Sequence, residues 1–233
     1  SSTSRGLGDV YKRQNFIRLL KNDNIKTNFN SSSELFYVIK GGGYTIFSDI
    51  KIPWKKGDFV VIPAEDEVTH YGQHEESSLY LIHDQPLLDY LGAKASIKKF
   101  KPVLFTNERS LKQLEKARNE GNAVNRSRIS VILVNKAMDQ TLTVSHTMWA
   151  MLGVLPKDAN QLPHRHQSVA LDLILDCKPG CYTLVGEKID QEGNIINPTR
   201  EEWRANSVFI TPPGLWHAPV SYTHLTLPTI LLV

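Results

Sequence analysis

The segment Asn206-Ser-Val-Phe-Ile-Thr-Pro-Pro-Gly-Leu-Trp-His217 decides the fold when it is taken together with the triplet His164-Arg165-His166. Residues 208–211 are apolar or β-branched, which predicts a strand over 207–211. Side chains alternate along a strand, so His164 and His166 are expected on one face while Arg165 points away. We expect His217 to arrive from a neighbouring strand and to complete one metal site with this pair.

Three histidines and no acidic ligand define the chemistry of this predicted site. Imidazole suits iron, nickel, copper and zinc, and three protein ligands leave coordination positions open for substrate, water or dioxygen. Such a layout is typical of a catalytic rather than a structural metal. Because three neutral ligands leave the charge of a divalent ion uncompensated, we expect a substrate that brings its own anionic oxygens.

The spacing resembles the two signature motifs of the cupin superfamily, which are a histidine pair with a downstream acid and a Gly-x5-Pro-x-Gly-x2-His segment. Pro212, Gly214 and His217 stand at the offsets of the second motif, and Asn206 replaces its leading glycine. The glutamate ligand of the first motif would fall at Ala170 or the residue after it, neither of which binds metal.

A three-histidine set written His-Arg-His-Gln-Ser-Val-Ala-Leu is similar to the gentisate and salicylate (1-hydroxy-2-naphthoate) dioxygenase branch of the cupins. The resemblance implies an all-β fold, a double-stranded β-helix (cupin or jelly roll) arranged as a bicupin with a short linking helix. It implies an Fe(II)-dependent ring-cleaving dioxygenase that takes a hydroxylated aromatic acid and dioxygen, in a homo-oligomer. Zn, Ni or Mn are the other metals considered.

Two other classes of function remain open. Another metal-dependent cupin enzyme, such as a thiol dioxygenase, a lyase or an isomerase, would keep the same ligands with a different metal and pocket. A non-catalytic cupin that binds a small molecule is the second alternative. Oxygen consumption that depends on an aromatic acid separates the first from ring cleavage, and bound metal without turnover would support the second.

The same template fits the first half of the chain after loss of its ligands. Asn28 and Asn30 take the places of the histidine pair, Glu34 that of the acid, and Gly57-x5-Pro63 that of the second motif's start. The third ligand position falls on Val68, with His70 two residues further on. Amide ligands with one acid bind transition metals poorly, so we expect a metal-free first cupin.

Beyond the metal ligands, four residues near the motifs are candidates for the chemistry. Asp172 and Tyr182 are the candidate catalytic residues, and Gln161 and Trp216 the candidate substrate-binding residues. A remote fourth metal ligand and a solvent-facing or hairpin acid are the alternatives for Asp172, and a core aromatic is the alternative for Trp216. An arginine should receive a substrate carboxylate, and the sequence does not choose among three, which are Arg165, Arg200 and Arg204.

Strand-like runs separated by glycine and proline recur along the chain, which favours a β-sandwich or small barrel. The segment Asn107–Gly121 has the cap, spacing and terminal glycine of a helix. We expect the following organisation: a degenerate cupin over 15–100, a linker with this helix over 101–126, and a metal-binding cupin over 127–219. Expected strands are residues 35–39, 44–48, 59–62, 79–82, 128–134, 141–152, 169–175, 181–185 and 207–211.

The two ends of the chain, residues 1–14 and 220–233, resemble translated sequencing-adapter read-through from metagenomic assemblies. They are therefore expected to lie outside the fold, with the cupin sequence incomplete at both ends. We expect the cytoplasm as the location, although a signal peptide could precede this sequence.

Composition excludes several classes of function. The 233 residues are 41% hydrophobic and 22% charged, which is typical of a globular protein. A net charge of +3 without a clustered basic stripe does not support a nucleic-acid partner, and no apolar run is long enough for a membrane helix. Cys177 and Cys181 are expected as reduced, partly buried thiols.

Overall fold

The computed structural model describes residues 11–64, 67–121, 123, 126–156, 158–221 and 229–232, the last stretch by its backbone only. Backbone contacts divide the chain into two compact units. The first unit contains the described residues up to Ser110 together with Val134–Met148, and the second contains Leu111–Leu133 and the described residues from Trp149 onward. The fold is all-β, as the sequence predicted.

Nine strands in two antiparallel sheets form the first unit. The strands are β1 (Arg13–Leu20), β2 (Asn24–Thr27), β3 (Ser33–Lys40), β4 (Gly42–Phe47), β5 (Ile50–Lys55), β6 (Phe59–Pro63), β7 (Val68–Gly72), β8 (Glu76–His83) and β9 (Val103–Phe105). One sheet has the order β1-β8-β3-β6-β9, and the other has the order β2-β7-β4-β5. Alternate residues of both sheets, such as Phe36 on β3 and Trp54 on β5, enter one apolar core.

Within the described residues, eight strands form the second unit, again in two antiparallel sheets. They are β10 (Ile129–Ile132), β11 (Ala150–Val154), β12 (Ala170–Ile174), β13 (Tyr182–Gly186), β14 (Thr199–Glu202), β15 (Ser207–Thr211), β16 (Trp216–Val220) and β17 (Thr229–Leu232). The sheet orders are β10-β11-β17-β12-β15 and β14-β13-β16. Cys177 and Cys181, both within the described residues, are reduced thiols that pack near Trp203.

Two α-helices occur in the described residues. Helix α1 (Gln85–Leu91) ends at Gly92, whose φ of 63° is left-handed, and α2 (Asn107–Arg118) is the helix that the sequence predicted. The border between the two units falls within α2. None of the helices in the described part of the chain is long and apolar enough to cross a membrane.

The departure of Asn206 from the cupin glycine has a backbone explanation. In the first unit, Gly57 has a φ of +89°, and a Cβ placed there would lie 2.3 Å from the Cγ of Asn107. In the second unit Asn206 also has a left-handed φ, of 62°. Asparagine is among the non-glycine residues that best tolerate this conformation, so the turn before β15 is kept without glycine.

The two units repeat the same strand pairing. Glu34 on β3 lies opposite Ile62 on β6, and Ala170 on β12 lies opposite Thr211 on β15. In the other sheet of each unit, Thr45 on β4 lies opposite His70 on β7, and Thr183 on β13 lies opposite Pro219 on β16. Corresponding residues can therefore be compared one by one.

Three expectations from the sequence were wrong in detail. Residues 141–149 are not a strand, because Asn135 caps a 3₁₀ turn at Lys136–Met138 and also bonds Val144 O, which folds this segment into turns. Residues 134–148 belong to the first unit rather than the second. The ends are not wholly outside the fold, since β1 begins at Arg13, β16 ends at Val220 and Thr229–Leu232 pairs with β11 and β12.

Candidate metal centre

A single antiparallel backbone pair brings His164 beside His217. The amide N of His164 lies 3.1 Å from the carbonyl O of His217, and the reciprocal bond is 2.9 Å long. Residues that exchange both bonds are directly opposite and place their side chains on the same face. The segment around His164 forms this bridge rather than the continuous strand expected, and Pro163 before it lacks the N–H that a ladder needs.

The third histidine joins from the same segment. His166 lies two residues after His164, and its carbonyl O accepts a 2.8 Å hydrogen bond from Gly214 N. The imidazole of His217 lies 4.2 Å from that of His164 and 4.9 Å from that of His166, between ring centroids. Arg165 lies on the other side, with its guanidinium 4.8 Å from the ring of Trp216. The three predicted ligand side chains are therefore neighbours, and Arg165 points away from them.

Each of the three rings bonds a nearby backbone carbonyl through Nδ1. His164 Nδ1 lies 3.0 Å from Leu162 O, His166 Nδ1 2.7 Å from Ser168 O, and His217 Nδ1 3.3 Å from Leu215 O. A carbonyl can only accept, so Nδ1 must carry the proton in every ring. All three rings therefore have Nε2 as the unprotonated nitrogen, which is the arrangement found in metal-ligating histidines whose other ring nitrogen donates to a carbonyl.

Burial also favours the neutral form of two of the histidines, His164 and His217. Desolvation, together with the neighbouring His164, lowers the pKa of His217 to about 4. Desolvation likewise lowers the pKa of His164, and the backbone hydrogen bond to Leu162 only partly opposes this. Neutral imidazole is the form that binds a metal, so protons would not compete with an ion near neutral pH.

The donor atoms of the three histidines are suited to a metal ion, although the rings do not yet converge. The Nε2 atom of His166 is buried without a hydrogen-bond partner, which is unusual for a polar atom. Within the described residues, no group of three or more His, Cys, Asp or Glu side chains is already arranged to hold an ion. The fit of a metal therefore rests on three adjacent imidazoles whose Nε2 atoms are unprotonated, and on the Nε2 atom of His166 having no hydrogen-bond partner. Binding requires the three rings to turn toward a common point.

Two cavities adjoin the histidines. The larger, of about 470 Å³, is lined by Ser127, Arg128, Asn160, Gln161, Leu162 and His164. The smaller, of about 10 Å³, is lined by Arg128, His164, Asp172, Thr183, Phe209, His217 and Pro219. Arg128 and His164 belong to both, so they connect a space large enough for a small organic molecule with a space for about one water-sized group.

Asp172 lies in the smaller cavity, with His164 and His217. Its side chain is buried on β12 opposite Phe209, and this burial raises its pKa to about 7, although the nearby Arg128 guanidinium opposes the shift. Burial also lowers the pKa of Arg128, with Asp172 acting in the opposite direction. A carboxyl with a pKa near neutrality can hold or release a proton at the site.

Of the remaining predicted site residues, the structure brings one to the histidines and leaves two elsewhere. Gln161 lines the larger cavity, and its Oε1 is buried without a partner. Tyr182 lies opposite Val220, on the face of β13 away from His217, with Arg200 3.6 Å from its ring. Trp216 contacts Arg165 on that same side.

Three further residues lie at the site and were not predicted from the sequence: Arg128, Thr183 and Thr211. Arg128 directly precedes β10 and is the arginine beside the histidines, whereas Arg204 is exposed. Thr183 is one residue from the predicted Tyr182 but on the other face of β13. Thr211 lies opposite Ala170, where the cupin acid would stand, and its buried Oγ1 has no partner. Neither threonine lies on a strand that carries a predicted ligand, so only the pairing between strands reveals that they face the site.

The corresponding interior of the first unit holds a hydrogen-bonded chain of side chains. Trp54 Nε1 donates to Thr45 Oγ1 (2.9 Å), Thr45 Oγ1 lies 2.9 Å from His70 Nδ1, and His70 Nε2 lies 3.3 Å from Thr27 Oγ1. Thr27 Oγ1 in turn donates to Glu34 Oε2 (3.1 Å). The polar atoms of these side chains thus satisfy one another inside the unit.

Asn28 and Asn30 do not occupy the interior positions that the sequence template gave them. Asn28 is exposed, and Asn30 bonds the segment after α1 through Ala93 O and Ala95 N. Thr27 therefore faces inward where the template placed Asn28, because side chains alternate and the register puts Thr27 inside. His70, rather than Val68, is the residue of β7 that reaches Glu34 through Thr27.

This chain is similar to known proteins in its fold and not in its sequence. No family model matches the sequence, and no curated protein matches it in sequence. Among solved structures, a cupin 2 conserved barrel domain protein from Leptotrichia buccalis is 16% identical with a TM-score of 0.61, covering 96% of this chain and 83% of that one. Salicylate 1,2-dioxygenase from Pseudaminobacter salicylatoxidans is 10% identical with a TM-score of 0.72, covering 95% and 70%.

A third similar structure is the oxalate decarboxylase of Bacillus subtilis, a protein with Mn(II) centres. It is 12% identical to this chain with a TM-score of 0.61, and the match covers 96% of this chain and 69% of that one. At such identities the similarity concerns the fold alone. The chain therefore has the all-β cupin fold.

Proposed function

We propose that this cupin-fold chain is a bicupin enzyme whose second unit holds one divalent metal on His164, His166 and His217. The first unit holds none, because its interior polar atoms already bond one another. The repeated pairing of β3 with β6 and of β12 with β15 supports duplication of one unit. The Nδ1 bonds of the three histidines support the ligand set.

The observation that carries the substrate class is the position of Arg128. Arg128 lines both cavities together with His164, and three neutral histidines leave the charge of a divalent ion uncompensated. A guanidinium pairs with carboxylate in a fixed, often bidentate geometry. We therefore propose an anionic substrate that places a carboxylate at Arg128 and a second oxygen near the histidines, as a hydroxylated aromatic acid does.

The reaction that we propose is Fe(II)-dependent cleavage of the aromatic ring by dioxygen. Bound iron would supply open coordination positions and the redox chemistry that dioxygen requires. Salicylate 1,2-dioxygenase, which shares the fold, acts by its name on such an acid. Within this chain, Arg128 would orient the carboxylate, Gln161 would bind a polar group through its unpartnered Oε1, and the Asp172 carboxyl would accept the proton of the substrate hydroxyl.

The assignments of Tyr182 and Trp216 do not receive the same support. In the structure both side chains lie on the face away from the histidines, against Arg200 and Arg165 respectively. Phe209 is the aromatic side chain that lines the smaller cavity beside Asp172. We therefore propose Phe209, rather than Trp216, as the apolar wall of the site.

The test combines metal content with oxygen uptake. The protein is prepared anaerobically with Fe(II), its metals are quantified by elemental mass spectrometry, and oxygen uptake is followed with gentisate, salicylate and cysteine. We expect about one iron per chain and uptake that depends on the aromatic acid. Both should vanish in His166→Ala and persist in His74→Ala, a matched control at an exposed histidine of the first unit.

Other outcomes would change the proposal in distinct ways. Uptake with cysteine but with neither aromatic acid would replace ring cleavage by thiol oxidation. Stoichiometric zinc or nickel without oxygen uptake would exclude a dioxygenase and leave a lyase, an isomerase or a binding protein. Absence of any metal would remove the enzyme proposal.

A further inference from the structure

The hydroxyl of Thr183 is buried at the edge of the smaller cavity, beside Asp172 and His217. Trp203 Nε1 lies 2.9 Å from Thr183 Oγ1. An indole N–H can only donate, so Thr183 Oγ1 is the acceptor in this bond. The hydroxyl hydrogen of Thr183 must therefore point elsewhere, and a buried hydroxyl needs an acceptor.

The first unit contains the same pair and shows where this hydrogen goes. Trp54 Nε1 donates to Thr45 Oγ1 at 2.9 Å, so Thr45 also has only its hydroxyl hydrogen left to give. That hydrogen is directed at His70 Nδ1, which lies 2.9 Å away. In the first unit the threonine thus has both a donor and an acceptor inside the protein.

The register of the strands shows that the two threonines correspond. Trp54 pairs with Gly43, two residues before Thr45, and Trp203 N bonds the carbonyl O of Cys181, two residues before Thr183. On the other side, Thr45 lies opposite His70.

The partner of Thr183 on β16 is Pro219, whose side chain cannot accept a hydrogen bond. Among the described residues, Thr183 Oγ1 makes no hydrogen bond to Asp172 or to another side chain besides Trp203. The second unit has therefore kept the tryptophan and the threonine and lost the internal acceptor.

We infer that Thr183 binds the ligand of the second unit, by donating its hydroxyl hydrogen to an anionic oxygen that enters the cavity beside His217. Trp203 is a positioning residue, because its N–H occupies one lone pair of Oγ1 and so directs the hydroxyl hydrogen into the cavity. The inference rests on the proposed function and adds to it a carboxylate or phenolate oxygen bound at Thr183.

The experiment compares matched variants of the full chain loaded with Zn(II), with salicylate as the probe in calorimetric titrations. Thr183→Val removes the hydroxyl and should weaken salicylate binding about tenfold or more, as loss of a hydrogen bond to a charged group does. Thr183→Ser restores the hydroxyl and should bind within about threefold of wild type. Thr45→Val removes the corresponding hydroxyl of the first unit and should lower Tm without changing the affinity.

A crystal structure of the wild-type protein provides a second measurement that does not depend on salicylate. We expect an oxygen atom of a water or ligand in the smaller cavity, within about 3.2 Å of Thr183 Oγ1. If the wild-type protein binds no salicylate, the proposed function on aromatic acids is wrong. The presence or absence of this oxygen atom then tests the inference about Thr183 by itself.

Two results would overturn the inference about Thr183. In the first, Thr183→Val binds salicylate as wild type does and loses thermal stability as Thr45→Val does, which would show a purely structural hydroxyl. In the second, the crystal structure shows Thr183 Oγ1 bonded to Asp172, or to no atom besides Trp203.

Discussion

His164 and His217 are joined by both of their backbone hydrogen bonds, of 3.1 Å and 2.9 Å, and their imidazole centroids lie 4.2 Å apart. The two proposed ligands are thus held beside each other by main-chain atoms, which any substitution other than proline retains. Substitution of these side chains or of the residues around them should therefore change metal or substrate binding more than it changes the backbone pairing of His164 with His217.

The histidine tautomers are the first testable property. In metal-free protein near neutral pH, His164, His166 and His217 should be protonated on Nδ1, because each Nδ1 lies against a carbonyl. His70 should carry its proton on Nε2, since the chain that starts at Trp54 makes its Nδ1 an acceptor. Nitrogen-15 NMR of the imidazoles distinguishes the two forms, and His74, which is exposed, provides the reference signal.

Observation of His166 protonated on Nε2 would contradict the proposed ligand set. The predicted tautomer of His70 is checked separately with the variant Trp54→Phe. This variant removes the donor that orders the chain, so His70 should become a mixture of tautomers while the three site histidines do not change.

Recognition of the substrate carboxylate should depend on Arg128. We expect Arg128→Met to weaken salicylate binding to the Zn(II)-loaded protein by about tenfold to a hundredfold, because a charged hydrogen bond is lost. Phenol, which lacks the carboxylate, should bind equally to wild type and variant. Arg165→Met is the matched control, since that guanidinium lies over Trp216 on the other face. Equal losses in the two variants would show a nonspecific effect of charge.

Asp172 should affect turnover without affecting metal content. Asp172→Asn keeps the size of the side chain and removes its capacity to take a proton, so oxygen uptake should fall by about a hundredfold or more. Iron content, measured on the same samples, should stay at the wild-type value. Loss of iron together with activity would instead identify Asp172 as a fourth ligand, which the sequence alone left open.

The pH dependence of folding should change in Glu34→Gln. Burial raises the pKa of Glu34 to about 7 from its usual 4.5, with Thr27 opposing the shift. The folded state therefore binds this proton more tightly than the unfolded state, and the stability it contributes is complete below pH 4.5 and lost as the pH rises to about 7. The variant stays neutral, so its free energy of unfolding relative to wild type should rise across this window, by up to about 3 kcal/mol.

Denaturant titrations at several pH values measure this difference. Desolvation lowers the pKa of His70 to about 4, and the stability that its neutral form contributes is lost as the pH falls from 6.5 toward that value. This loss occurs in both proteins and should cancel in the difference, provided that His70 keeps the same neighbours. Glu108→Gln, at an exposed position of α2, controls for removal of a carboxylate. A difference independent of pH would contradict a buried neutral Glu34.

The local pattern of the sequence was enough for the fold class and for the orientation of the ligand segment. Alternation along an extended segment predicted that Arg165 points away from His164 and His166, and its guanidinium does lie over Trp216. Asn206 could be recognised as a stand-in for glycine because both tolerate a left-handed backbone.

Register between distant strands could not be predicted. Whether Tyr182 or Thr183 faces the histidines depends on Val185 lying opposite His217, a pairing that the sequence near β13 does not contain. The same reason explains Thr27, which faces inward in place of Asn28. Arg128 reaches the site because it precedes β10, and no motif connects it with the histidines in sequence.

The Nδ1 bonds of the histidines have a consequence for how this protein could diverge. Each ring and the carbonyl that sets its tautomer lie two residues apart in the same peptide, within 162–168 or 215–217. Under the proposed function, metal affinity is thereby carried by two short segments, whereas Arg128, Asp172 and Thr183 come from three other parts of the chain. Substitution at those three positions would then exchange one substrate for another over evolutionary time while the proposed metal site is kept.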